Sequence, residues 1–152
     1  MTFEQLFKRH NKEAASLGLS LTRPATRDEI KSLEAHIGHP VPREIRDFYT
    51  FCNGFETLDY LFRVIPLHEA LQTVQQSRDR IIDFAEYMIY SDTWTLEILN
   101  EEQYVITNAN HKTGEVILTN SIPEFLERYF DGHGLFGENG LYGWYEDKRN
   151  FT

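Results

Sequence analysis

Residues 26–54, TRDEIKSLEAHIGHPVPREIRDFYTFCNG, constrain the fold most tightly, because they carry start and stop signals for two short helices joined across a proline turn. Thr26 can cap a helix with its hydroxyl while Glu29, three residues on, reaches back to the cap amide. Ile30, Leu33 and Ile37 then fall on one apolar stripe, which leaves Lys31, Glu34 and His36 nearer water, and Gly38 ends the run. Pro40 and Pro42 forbid simple continuation. Pro42 suits the first turn of a second helix with the stripe Ile45, Phe48, Tyr49 and Cys52, and Asn53-Gly54 stops it. The two helices are expected to pack together through these stripes.

Downstream of residue 84 the hydrophobic period changes from the helical value to two. Phe84–Tyr90, Trp94–Leu99, Tyr104–Thr107 and Glu115–Thr119 read as strands, with Tyr60–Ile65 as an earlier one. Ser91-Asp92 and Asn100-Glu101-Glu102 supply turns, and Asn108–Gly114 makes the last pair a hairpin. Pro66 opens a helix carrying Leu67, Leu71 and Val74, which extends unevenly toward Arg80. Ser121 with Glu124 repeats the capping box, and Phe125, Leu126, Tyr129 and Phe130 give that helix a core face. The N-terminal MTFEQLFKRHNKEA, with Thr2 and Gln5 as a further capping box, reads as an amphipathic helix and not as an export signal. The expected fold class is α+β: one domain over residues 1–152, with an antiparallel-rich sheet of about five strands covered by helices. Residues 1–25 form its first helix and connection, 26–132 its core, and 133–152 a Gly/aromatic tail.

Catalytic signatures fail on context. His36-Ile37-Gly38-His39 spells the HIGH signature of class I aminoacyl-tRNA synthetases, but it ends an amphipathic helix and no lysine loop follows. Gly132-His133-Gly134-Leu135-Phe136-Gly137 matches a dinucleotide fingerprint in letters, yet it follows a helix and leaves no room for a second βαβ half. Asp131 and His133 read as part of a solvated loop, and His36 and His39 as helix-end histidines. The single cysteine, Cys52, lies on an apolar stripe and reads as an inert buried thiol. No nucleophile elbow accompanies the Ser, His and Asp residues. The expectation is a protein without catalysis, cofactor or metal, in a reducing, cytoplasmic compartment and away from the membrane.

The net charge of −9 is uneven: residues 1–50 carry eight Lys and Arg against seven Asp and Glu, and residues 51–152 carry seven against seventeen. Such a surface repels nucleic acid, whose binding depends on Lys and Arg, and attracts a basic protein instead.

The helix with Ile30, Leu33 and Glu34, then Gly38, the Val41-Pro42 step, aromatic Phe48 and terminal Asn53-Gly54, resembles the SUKH superfamily, also called the Smi/Knr group. Arg63-Val64-Ile65-Pro66-Leu67 resembles the family's next strand and helix, and Ser121 to Leu126 its late helix. The resemblance implies a single α+β domain and, in bacterial members, an immunity protein that binds and neutralises a cognate toxin, often a nuclease. Other members are regulatory or scaffolding proteins. The aromatics and carboxylates of the strand region, Asp83, Glu86, Tyr90, Asp92, Trp94, Glu97, Glu101, Glu102 and Tyr104, are the candidate toxin-binding residues, because large amphipathic anchors amid charge suit an interface.

Overall fold

Seven strands form one antiparallel meander in a computed structural model that describes residues 1–72, 80–110 and 114–150. β1 (Ser20–Leu21), β2 (Phe55–Glu56), β3 (Phe62–Val64), β4 (Ile81–Tyr87), β5 (Asp92–Ile98), β6 (Tyr104–Asn110) and β7 (Gly114–Thr119) pair in chain order. Among the described residues seven helices accompany them: α1 (Phe3–Arg9), α2 (Asn11–Leu17), α3 (Arg27–Ile37), α4 (Arg43–Phe51), α5 (Leu67–Gln72), α6 (Ile122–Asp131) and α7 (Leu141–Asn150). The α+β class matches expectation and the strand count exceeds it. β1 and β2 have two residues each, too few for any alternation to register in the sequence. The expected N-terminal helix divides at His10, whose backbone leaves helical geometry. Val74 and the expected extension over 75–79 lie outside the described residues, as does the turn at 111–113.

A β-bulge sets the inner face of the sheet. Asp83 pairs with Thr95 and Ala85 with Trp94, so Phe84 has no opposite residue, and Phe84 and Ala85 are both fully buried. An extra residue of this kind bends the strand and turns two successive side chains the same way. It also puts Asp83 and Glu86 together on the opposite face. Inner-face rings then interlock with the helices: Phe84 meets Phe48 of α4 at 5.5 Å and Phe125 of α6 at 5.5 Å, and Phe7 of α1 meets Phe130 at 5.4 Å. One contiguous core runs from Phe3 to Tyr145. The tail belongs to it, because Leu135, Leu141, Trp144 and Tyr145 are all buried.

The motif of residues 26–54 proves to be a set of junctions. Thr26 and Glu29 form the reciprocal cap at 3.1 Å in each direction. Glu34, which helical periodicity turns toward water, is half-buried and accepts the Val41 amide at 2.8 Å and Arg46 Nη2 at 3.3 Å, so it pins the proline turn between α3 and α4. Asn53 donates to Glu29 at 3.1 Å and accepts the Leu67 amide at 2.8 Å, which ties α3 to α5. Gly54 adopts φ +90°, and a Cβ there would stand 2.1 Å from the Val64 carbonyl oxygen, so only glycine lets β3 pass.

Cys52 caps α4 with extended backbone, is 1% exposed, and burial pushes its thiol up to about 12. The native protein is therefore expected to resist alkylation at pH 8 and to react as a free thiol once unfolded in urea, as a mass-spectrometric time course reads. Rapid native modification would show that the α4 terminus opens.

Candidate functional site

Four of the nine residues selected for the interface are buried and build the protein. Trp94 is fully buried, packed against Phe62 at 5.5 Å and Tyr142 at 5.9 Å. Tyr104 is buried; its hydroxyl donates to the Glu44 carboxylate and accepts the Ile122 amide at 2.6 Å, which joins α4, β6 and α6. Asp92 is buried and accepts Asn108 Nδ2 at 3.0 Å and the Tyr142 hydroxyl at 2.8 Å, which anchors α7 to the sheet. Glu86 is 3% exposed, and its carboxylate accepts Arg63 Nε at 2.9 Å. These four side chains are buried and partnered within the chain, a placement that strand alternation hides because it does not say which carboxylates and rings have partners across the sheet.

The rest do not form one surface. Glu97 and Asp83 are half-buried on the outer face, and Glu101 and Glu102 are exposed at the β5–β6 turn. Tyr90 is half-buried beyond the other end of β4. Asp92 and Glu97 alone are about 17 Å apart at the usual strand rise. The acidic turn and the β4–β5 turn therefore lie at opposite ends of the meander.

The β4–β5 turn carries the longest run of left-handed non-glycine backbone among the described residues. Met88, Ile89 and Tyr90 have φ of 51°, 52° and 61°, three successive left-handed residues without a glycine. Each costs about 1 kcal/mol or more, and a β-branched isoleucine is among the least suited. Other turns in proteins meet this demand with Gly, Asn or Asp. Here the sequence spends the position on apolar side chains: Ile89 is 92% exposed, and Met88 is also exposed.

A polar cluster holds that strain. Glu86 accepts the Tyr90 amide at 2.5 Å, while Arg63 bridges Glu86 and Glu69, with Nη1 donating to Glu69 at 2.9 Å. The Tyr90 hydroxyl also donates to Glu69, and Arg63 lies 5.8 Å from the Tyr90 ring centroid. Arg63 beside it holds the Glu69 carboxyl below its ordinary value, and burial with the Glu69 bond pushes the Tyr90 hydroxyl up. The Met88 amide donates to the Leu61 carbonyl at 2.8 Å, which ties this turn to the β2–β3 loop. That loop exposes Leu58, Tyr60 and Leu61, and Tyr60 is also left-handed, at φ 58°.

The glycine-rich segment 132–140 completes the surface. A Cβ on Gly132 would stand 2.3 Å from the Asn139 carbonyl oxygen, so the segment is pinched at its base. From this pinch Phe136 projects, 71% exposed, with its ring 5.5 Å from Tyr87 and 5.4 Å from Tyr142. Between Phe136 and the β2–β3 loop lies a cleft of about 370 Å³, with Phe62, Tyr87 and Tyr129 among its walls and Asp59 and Leu58 at its side.

Sequence reasoning missed Leu58, Asp59, Tyr60, Leu61, Met88 and Ile89. The available signal was apolar composition between two strands, at 58–61, where turn chemistry normally puts polar residues. Met88-Ile89-Tyr90 was invisible because these residues are strong strand formers and extend the pattern of β4 in letters. His10, Glu13 and Asp131 also converge, with ligand atoms within 4.8 Å of one another, and His10 Nδ1 lies 3.5 Å from Asp131. His133 lies elsewhere, on the aromatic cleft.

Compared with known families, the chain matches the model of the SMI1 / KNR4 family (SUKH-1) over residues 24–130, more than half its length. That span holds the α3–α4 junctions, the whole sheet from β2 to β7 and both strained loops, and it stops at the edge of the glycine-rich segment. A comparison with curated protein sequences gives no match.

Proposed function

Because the chain belongs to the SMI1 / KNR4 (SUKH-1) family, we propose that it is an immunity protein that binds and neutralises a cognate toxin, a basic nuclease domain, by stoichiometric contact and without catalysis. The observation that carries this reading is the Met88–Tyr90 turn, where strained left-handed backbone presents Met88 and Ile89 to solvent beside Leu58, Tyr60 and Phe136. Strain retained at an exposed apolar tip is explained by a partner that covers it. Charge supports the class of partner. A nuclease binds anionic phosphate and is basic for that reason, and this chain carries −9 with its acids concentrated after residue 50. The same charge argues against direct binding of nucleic acid. No helix among the described residues is long and apolar enough to cross a membrane, and the proposed place of action is the cytoplasm.

The half-buried and exposed carboxylates at the far end of the sheet then act at a distance. Reversing Glu97, Glu101 and Glu102 together is expected to slow association with the toxin about ten-fold at low salt, to leave dissociation nearly unchanged, and to lose its effect at high salt. Stopped-flow measurement at two ionic strengths reads this, and a matching rise in dissociation rate would place those carboxylates inside the contact. The reading as a whole is tested by capture with the tagged chain from its native cells, followed by expression of the captured domain alone. A domain that arrests growth when alone and is silenced by this chain supports immunity. Recovery of housekeeping proteins that cause no arrest would replace it with a regulatory or scaffolding role.

A further inference from the structure

The cleft beside Phe136 has a composition that selects its occupant. Its walls are aromatic: Phe62 and Tyr129 stack at 4.6 Å between centroids, and Tyr87 meets Phe136 edge-on at 5.5 Å. Among the cleft's described lining residues Asp59 is the one carboxylate and His133 the one imidazole, and none is Lys or Arg. Asp59 is set by its loop, since its Oδ1 accepts the Leu61 amide at 3.0 Å and the Thr57 hydroxyl at 2.9 Å. It also stands near enough to Tyr129 to add to the burial that pushes that phenol up. The volume of about 370 Å³ is that of a small-ligand site, with room for one long side chain and none for a segment of folded chain.

We propose that this cleft receives an arginine side chain of the protein partner, its guanidinium over the aromatic walls and its charge met by Asp59. The proposal rests on the immunity reading for the identity of the partner and on the cleft alone for the chemistry. Aromatic faces attract a cation, and a guanidinium does so best because it is planar, weakly hydrated and forked to meet a carboxylate. An anionic group would face a carboxylate with no lysine or arginine to oppose it. An aliphatic side chain would fill the volume and leave Asp59 unanswered. A basic toxin domain supplies arginine in quantity, and Leu58 and Phe136 at the rim would shield the pair from water, as the surround of an interface anchor does.

The test needs no toxin. N-acetyl-argininamide is titrated into the protein while the aromatic ring signals of Tyr87, Tyr129 and Phe136 are followed by NMR, in parallel with N-acetyl-citrullinamide, which has the same shape and no charge. Saturable shifts of these rings by the arginine probe are expected, with affinity at least about five-fold above that of citrulline. Asp59→Asn is expected to reduce the difference to what the aromatic faces alone give and to leave the citrulline titration unchanged. Equal affinity for the two probes, or the same preference in Asp59→Asn, would overturn the assignment, as would the absence of saturable ring shifts. Because the probe is a free amino-acid derivative, a protein with no toxin partner gives the same result. A failed titration, in turn, leaves growth protection by the chain untouched, so the two readings fail separately.

Discussion

Arg63→Ala is expected to destabilise the protein by about 3 kcal/mol, in the range for breaking a buried ion pair by removing one partner. Glu86 is 3% exposed and depends on Arg63 for its charge balance, while Glu69 loses the same cation. Both carboxylates also hold Tyr90, so the loss is concentrated at the strained turn. Urea unfolding reads the magnitude, and hydrogen exchange at residues 86–91 reads the location. Adding Glu86→Gln to the variant is expected to recover part of the loss, since a neutral amide tolerates burial without the cation. A loss under about 1 kcal/mol would mean that the cluster is solvated in practice. Acid reaches the same cluster through Glu69, which Arg63 holds below its ordinary value of 4.5. A depressed folded pKa gives a contribution that is complete above the unfolded value and is lost as pH falls through the folded one. Protection of the turn amides is therefore expected to fall below about pH 4.5 in the native chain, and this dependence should be missing in Arg63→Ala.

Ile89→Asn is expected to move stability and binding in opposite directions. At φ 52° asparagine sits more easily than a β-branched side chain, so the free protein should gain about 0.5–1 kcal/mol. Nothing is lost in exchange, because Ile89 is 92% exposed. On the proposed immunity reading, affinity for a toxin should fall about 50-fold, corresponding to removal of a fully buried isoleucine from an interface centre. Calorimetry on the complex and thermal melts of the free chain read the two halves. A stabilised variant with unchanged affinity would leave the strain unexplained by binding and would remove the tip from the contact. The opposed signs separate this outcome from a folding defect, which would lower both quantities.

How much of this was legible in the letters varied with the kind of signal. The caps at Thr2, Thr26 and Ser121 are local chemistry, and each accepts the expected backbone amide. The meander from β4 to β7 was legible because alternation persists over six or seven residues in each strand. What alternation cannot encode is a bulge, and the one at Phe84 put Glu86 beside Arg63 instead of in solvent. The burial of Asp92 and Tyr104 is hidden in the letters for a related reason. Their partners Tyr142 and Glu44 are 50 and 60 residues away in sequence, and a buried polar side chain looks like an exposed one until its partner is placed. Residues 133–152 read in the letters only as a Gly/aromatic tail, and the structure docks its helix α7 on the core through Leu141, Trp144 and Tyr145. The family motif was visible because its residues are junctions of the architecture. The exposed apolar surface, Leu58, Tyr60 and Leu61 with Met88, Ile89 and Phe136, carries no pattern beyond its own apolarity.

The most direct measurement is growth protection: the toxin domain captured by the tagged chain is expressed with either the native chain or Ile89→Asn at matched levels. Full rescue by the native chain and arrest with the folded, stabilised Ile89→Asn variant is the expected result. Equal protection by both would contradict the claim that the strained β4–β5 tip is what neutralises the toxin.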